Sequence, residues 1–453
     1  MTHYKNMKKK FRMRPMIVVF LGFLVVMLVG AFLLALPISN TDGKWMSFTH
    51  AVFWAMNGVC GTGLVVSSTA LSFTVFGQVI LFLLIQFGGL GFMTMATFLF
   101  IIIRKRITLK DRIAIQEALG QDQMKGVVRL VLKIMIITGI IELAGTIMLI
   151  PFFCVRNGGV GVWQAMFTSV SAFCNAGFDI LGTEANPYGS LIDYNGNIGI
   201  LLIVALIAIL GSFGFPVIDD ILKCKFRYKK YRFHTKAVII VSLSIMAFGT
   251  LYFFASEFNS AATAGMNGGE KLLNSLFQAV TASSTAGYSS LDQTKLSSAG
   301  MVMSMIIMFI GSSPCSTGGG IKTTTFLVIL LMARAGFTGK DEIVIGKHSI
   351  SIKAGLRALS ILVLATALIA LSVIIIGATD PDLATGYILY DTISSFTTTG
   401  LSMGIVPSLS NAALYVFAVV MFIGRLGPLS IVLMFTKNDN AHIKYPSSNI
   451  MIG

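Results

Sequence analysis

Four short stretches hold the residues whose types and spacing could do chemistry. They end Cys60-Gly61-Thr62-Gly63, Cys174-Asn175-Ala176-Gly177, Ser284-Thr285-Ala286-Gly287 and Thr397-Thr398-Thr399-Gly400. Each closes an apolar segment of about 10 to 14 residues, too short to cross a bilayer and suited to a re-entrant helix. The terminal glycines are 114, 110 and 113 residues apart. A cation at membrane depth needs its water shell replaced, and a ring of backbone carbonyls behind short helices can replace it. Glycine at the loop end admits positive φ and close approach of four chains. Short side chains at Thr62, Asn175, Thr285, Thr398 and Thr399 are candidates to buttress the strand. The short helices would aim their negative C-terminal ends at the centre. Helix packing through small residues explains one such loop well, but four at matched spacing poorly.

The elements that must position these loops follow from hydropathy. Of 453 residues 55% are hydrophobic and 12% charged, and mean hydropathy is +0.83. That much apolar surface calls for lipid as solvent. Spanning segments fall near 16–37, 75–103, 128–153, 196–222, 237–255, 301–333, 356–377 and 412–435. Paired around the loops, they predict an all-α membrane protein of eight spans, as four helix–pore loop–helix repeats in one orientation. That common orientation argues against inverted transporter repeats. The predicted order is a cytoplasmic tail 1–15, repeat 1 at 16–103, a linker 104–127, repeat 2 at 128–222 and a linker 223–236. Repeat 3 at 237–333, with a broken second helix, a linker 334–354, repeat 4 at 355–436 and a tail 437–453 complete it. The first apolar run is too long for a secretory signal core, and no clear cleavage site follows it.

The net charge of +15 would by itself suggest nucleic acid. Its placement says otherwise, because 28 of the 34 Lys and Arg residues sit in the tails and alternate linkers. That is the positive-inside pattern, with both termini and the basic linkers cytoplasmic. The five cysteines show no paired spacing, so neither a disulfide framework nor a metal site is expected.

A second mark recurs after each loop: Gly88-Gly-Leu-Gly, Gly211-Ser-Phe-Gly, Gly311-Ser-Ser-Pro and Gly424-Arg-Leu-Gly. The third expands into Gly311-Ser312-Ser313-Pro314-Cys315-Ser316-Thr317-Gly318-Gly319-Gly320, which no helix would keep. It resembles a phosphate-binding loop at a glance, but Ile321 separates glycine from Lys322 and the flanks are membrane spans. Such a break lines a water-filled path or marks a kink. Lys322 and Arg425 are charges in apolar surroundings and so candidates for function, although Lys322 can equally snorkel or pair. Glu142 is read as a partnered carboxylate or an ion-path group, and Asp391 as a holder of the fourth pore helix.

The four loops, the broken third second helix and the closing Tyr445-Pro446 resemble the Trk/Ktr/HKT potassium transporter superfamily over essentially the whole chain. One span before Gly63 fits its bacterial Ktr membrane-subunit (KtrB-type) branch. The resemblance implies potassium uptake across the plasma membrane, with the four loops as selectivity filter and K+ held by backbone carbonyls. It makes 311–320 an intramembrane gating loop and places Arg425 on the pore. It also implies a homodimer on a cytosolic KtrA/KtrC-like nucleotide-binding ring, docked through 104–126, 223–236 and 334–353. No cofactor is expected in this chain; K+ is substrate and Na+ a candidate activator. Where the family pattern leads one to expect valine, Gly61 is expected to loosen the first strand. The 311–320 loop, with few anchoring side chains, is expected to be mobile. The competing expectation is an alternating-access K+/Na+ symporter. A membrane enzyme lacks its motifs, with no HExxH and no GxSxG.

Overall fold

The computed structural model describes residues 15–91, 94, 95, 97, 101, 127–339, 342–345 and 348–428. The N-terminal tail to residue 14, the linker through 126 and the C-terminal tail with Tyr445 and Pro446 lie outside the described residues. The chain is mostly helical, and its long helices come in four sets. The first holds α1 (Pro15–Ala35), α2 (Phe48–Cys60) and α3 (Val75–Leu90). The second holds α4 (Val127–Asn157), α5 (Val160–Phe173), α6 (Ile198–Ser212) and α7 (Phe215–Lys223). The third holds α8 (Phe233–Ser256), α9 (Gly268–Ser284), α10 (Ser298–Ile310) and α11 (Thr323–Phe337). A hairpin of β1 (Ile343–Ile345) and β2 (His348–Ile350) then precedes α12 (Ile352–Thr379), α13 (Thr385–Thr397) and α14 (Asn411–Leu426).

Within each set the same local chemistry starts the helix that follows the loop. Thr74, Asn197, Ser297 and Ser410 are N-caps whose side chains accept from the backbone N–H three residues on. Two of these caps are gripped by an acid at the end of the set's first helix. Ser410 donates from Oγ to Asp380 at 2.7 Å and from its backbone N–H at 2.9 Å. Ser297 is held likewise by the buried Glu257.

The sets close on themselves. α3 packs on α5, α6 on α9, α10 on α13, and α14 returns to α2, so the helix after each loop touches the next set's short helix. The short helices α2, α5, α9 and α13 are buried over their final turns. The long helices face outward with apolar side chains: Ile136, Ile140, Leu143 and Ile147 of α4 are 60–62% exposed. A surface of that kind calls for lipid or an apolar partner surface against it. Among the described residues, Val128–Asn157, Phe233–Ser256 and Ile352–Thr379 are each long and apolar enough to cross a membrane. The pair α6 and α7 passes together, bent by 96°.

The break expected only in the third set occurs at the second glycine mark of every set. The helix stops and the chain turns at Gly91, Gly214 and Gly427, with φ/ψ of 82/140°, 82/149° and 84/129°. In the third set residues 311–321 are inserted before this point and Lys322 takes the same conformation, at 86/135°. The first glycine of the mark has a separate reason. A Cβ on Gly88, Gly211 or Gly424 would overlap the carbonyl oxygen of Val59, Phe173 or Phe396, at the end of each short helix. Replacing Gly424 with Ala should therefore cost about 1–3 kcal/mol by overpacking. It should lower the melting temperature of the detergent-solubilised protein, and an unchanged transition would refute this packing.

Candidate functional site

The closed circle of helices brings the four loop ends together. A Cβ built on Gly177 falls 3.0 Å from the Ala286 carbonyl oxygen. Those on Gly63, Gly287 and Gly400 fall closer still to the carbonyl oxygens of Ala176, Thr399 and Thr62. Each glycine thus abuts the next loop's third carbonyl and the fourth abuts the first, so backbone packs on backbone around one axis. All four have positive φ: 91° at Gly63, 67° at Gly177, 78° at Gly287 and 90° at Gly400. Only glycine meets both demands.

The second residue of each loop is left-handed too, with φ of 63° at Gly61, 50° at Asn175, 56° at Thr285 and 50° at Thr398. Gly61 therefore does not loosen its strand. It occupies, without strain, a conformation that costs its three counterparts about 1 kcal/mol each or more. A valine there would be worse, because a β-branched side chain resists this region.

The expected buttressing is divided differently. The hydroxyls of Thr62 and Thr398 are buried and make no hydrogen bond among the described residues, while Thr397 and Thr399 pair at 2.7 Å. Support comes instead from the ends of the short helices. Asn57 and Ser394 accept from the N–H of Gly63 and Gly400 at 2.8 and 3.0 Å. Asp391, fully buried, accepts from Ser402 Oγ at 2.7 Å and Met403 N–H at 2.8 Å, so it fixes the strand beyond the loop. Asn57 and Ser394 are legible in the sequence only as the approach to each loop, since polarity near a helix end has many uses.

Above the ring lies an outer cavity of about 340 Å³, with the four glycines in its lining beside Asp179 and Asp292. Burial pushes the Asp292 carboxyl up, but hydrogen bonds from Thr294 and Lys295 outweigh it and hold the group below the usual carboxylate range. It is charged at neutral pH, with Lys295 3.2 Å away.

Behind the ring sits the 311–322 break, and it is anchored. Gly319 N–H donates to Thr285 Oγ1 at 3.0 Å, and Thr317 Oγ1 donates to the Phe173 carbonyl at 2.9 Å beside the Asn175 amide. Ser313 Oγ donates to the Ser212 carbonyl at 2.7 Å, and the Cys315 carbonyl accepts from Phe215 N–H at 3.1 Å. Ser312 and Ser316 hydroxyls meet at 2.9 Å, and Pro314 lies between these fixed points. Gly311 and Gly320 pack together, and Gly318 and Gly319 lie against the carbonyls of Ser284 and Thr397. Lys322 Nζ donates to the Gly318 carbonyl at 2.7 Å. Arg425 reaches the Thr317 carbonyl, and on the first set the carbonyls of Gly88 and, at 3.0 Å, Gly89. The expected scarcity of anchors is thus wrong, because the buried serine and threonine hydroxyls find backbone carbonyls.

Ser284 Oγ donates to the Val280 carbonyl of its own helix, and Cys60 is a buried free thiol. Cys154, Cys174 and Cys224 likewise form no disulfide among the described residues. Glu142 and Gln86 stand beside Cys174, a grouping not visible in the sequence.

The family model described as TrkH, cation transport protein, matches residues 5–444. The Ktr system potassium uptake protein B of Bacillus subtilis (strain 168) is 37% identical over 446 residues, covering 98% of this chain and 97% of that protein. The potassium/sodium uptake protein NtpJ of Enterococcus hirae is 35% identical, covering 99% of each. The crystal structure of the potassium transporter TrkH from Vibrio parahaemolyticus matches with a TM-score of 0.73 at 17% identity, over 94% of this chain and 86% of that one.

The left-handed second position is open to test. Gly61→Val should destabilise the folded protein by about 1–3 kcal/mol, and Gly61→Asn by less. Thermal unfolding of both variants decides it, and a valine variant as stable as the parent would rule the geometry out.

Proposed function

The chain belongs to the TrkH family of cation transport proteins, and we propose that it is the ion-translocating subunit of a potassium uptake system. The observation that carries this reading is the closed circle of Gly63, Gly177, Gly287 and Gly400 against the carbonyls of Thr62, Ala176, Ala286 and Thr399. On this reading eight spans form four repeats around one path in the plasma membrane, with both termini cytoplasmic. A cation enters through the acidic outer cavity, sheds water at the ring and meets the 311–320 loop beneath it. The carbonyls coordinate, and the short helices' C-terminal ends add negative potential. Relatives named for potassium uptake support K+ as the substrate. Membrane potential, at about 2.3 kcal/mol per charge per 100 mV, can drive accumulation of about 50-fold.

In the closed state the loop is held by Arg425 and by its hydrogen bonds to the second and third sets. Regulation belongs to a separate cytosolic partner: relatives are named as B and D proteins of a Ktr system, which fits a shared, multi-component device. We assign to it a nucleotide-binding ring of the KtrA/KtrC kind under a homodimer of this chain. A second reading, a K+/Na+ symporter, is favoured by the relative named for potassium/sodium uptake. Resolved unitary currents would exclude it.

Two outcomes test the assignment. Gly287→Ser and Gly400→Ser should each lower K+ flux into proteoliposomes at least about tenfold and raise the Na+ share, because a Cβ forces the ring apart. Unchanged flux and ratio in well-folded protein would remove the filter role. Arg425→Ala, which frees the loop from its tie to the first and fourth sets, should raise basal K+ flux with the K+ to Na+ ratio retained. Basal flux at the parental level would place the gate elsewhere.

A further inference from the structure

Glu142 lies in the middle of α4, a helix whose neighbouring side chains, such as Ile140 and Leu143, are apolar and exposed. Its carboxylate oxygen Oε1 is buried and makes no hydrogen bond among the described residues. A carboxyl so poorly satisfied at membrane depth is expensive, and it persists where a specific bond depends on it. That bond is present. Gln86, on α3 of the first set, donates from Nε2 to Glu142 Oε2 at 3.1 Å. The other end of the same amide, Oε1, accepts from the Cys174 thiol at 3.6 Å.

Chemistry sets the direction of this relay. The Glu142 carboxyl keeps an acceptor oxygen whatever its protonation, and the Gln86 amide nitrogen is turned toward that oxygen. The amide oxygen is then presented to Cys174, the first residue of the second loop. Without Glu142 the amide could rotate and offer the thiol a donor, which a thiol accepts poorly. The thiol has little other freedom, because Gly89 beside it leaves room for no side chain: a Cβ there would lie 2.5 Å from the sulfur. The backbone of Cys174 is in turn adjacent to Asn175, held at φ 50°. Among the described residues the Gly177 N–H has no side-chain partner like those that Asn57 and Ser394 give Gly63 and Gly400, and the loop's own side-chain tie is Asn175 with Thr317 at 2.8 Å.

We infer that Glu142 and Gln86 are positioning residues that set the second filter strand through Cys174, and so determine cation specificity. The inference rests on the filter reading above. Glu142 does not touch the ion: it orients an amide, and the amide orients a thiol.

The measurement is the ratio of K+ to Na+ flux in proteoliposomes. Glu142→Leu and Cys174→Ala should each lower it about two- to fivefold, the worth of one weak to ordinary hydrogen bond. The double variant should fall no further, because both changes cut one chain. Glu142→Gln keeps an acceptor and Cys174→Ser keeps a donor, so both should retain the parental ratio. Where Glu142→Leu does not fold, a swap replaces it as the test. Gln86→Glu sets two carboxylates face to face and should lower the ratio, and adding Glu142→Gln should restore it. Parental selectivity in Glu142→Leu, additive losses in the double variant, or no rescue by the swap would each overturn the inference. A parental protein that carries no K+ would instead overturn the filter reading itself.

Discussion

Everything in this molecule depends on backbone packing against backbone at one axis. Four glycine Cα atoms sit against four carbonyl oxygens, and no side chain fits between them. Non-helical backbone is tolerated at membrane depth only where it is buried in protein or lines a cavity, so the rest of the fold is arranged to satisfy that condition. The short helices end at the ring and lend it their dipoles. The helix after each loop wedges against the next set's short helix, which closes the circle. The first glycine of the second mark lets three of those helices touch the carbonyl at the base of their own loop.

Symmetry of this kind does not make the four sets equal. The first and fourth loops are tied by side chains of their own short helices, and the second and third by the inserted 311–322 segment. The insertion is confined to the set where Lys322 replaces the turning glycine, and its hydroxyls and carbonyls knit it to the second, third and fourth sets. Arg425 spans the remaining gap to the first. A single charged side chain thereby touches the first set and the insertion while standing on the fourth.

Much of this is legible in the sequence. Matched spacing reveals the four loops, and the glycine marks locate the helix breaks, because positive φ and close approach both demand the smallest residue. The extent of the breaks is not legible: Gly91 and Gly427 lie in stretches whose hydropathy runs on without interruption. Gly61 misleads because a glycine signals freedom until its φ is known, and here it relieves strain. The firmness of the 311–320 loop is hidden for a related reason. Serine and threonine are read as loop residues, yet buried against backbone carbonyls their hydroxyls are anchors. Contacts between sets, such as Gln86 with Glu142, depend on the circle being closed and leave no local pattern.

The proposed cation path runs through the ring of Gly63, Gly177, Gly287 and Gly400. Its most direct test is anomalous diffraction from crystals soaked in Tl+, an electron-rich substitute for K+. Tl+ density is expected on the axis, at the level of the Thr62, Ala176, Ala286 and Thr399 carbonyls, and should fade as K+ is added. Tl+ sites lying only off that axis, between helices or at the surface, would contradict it.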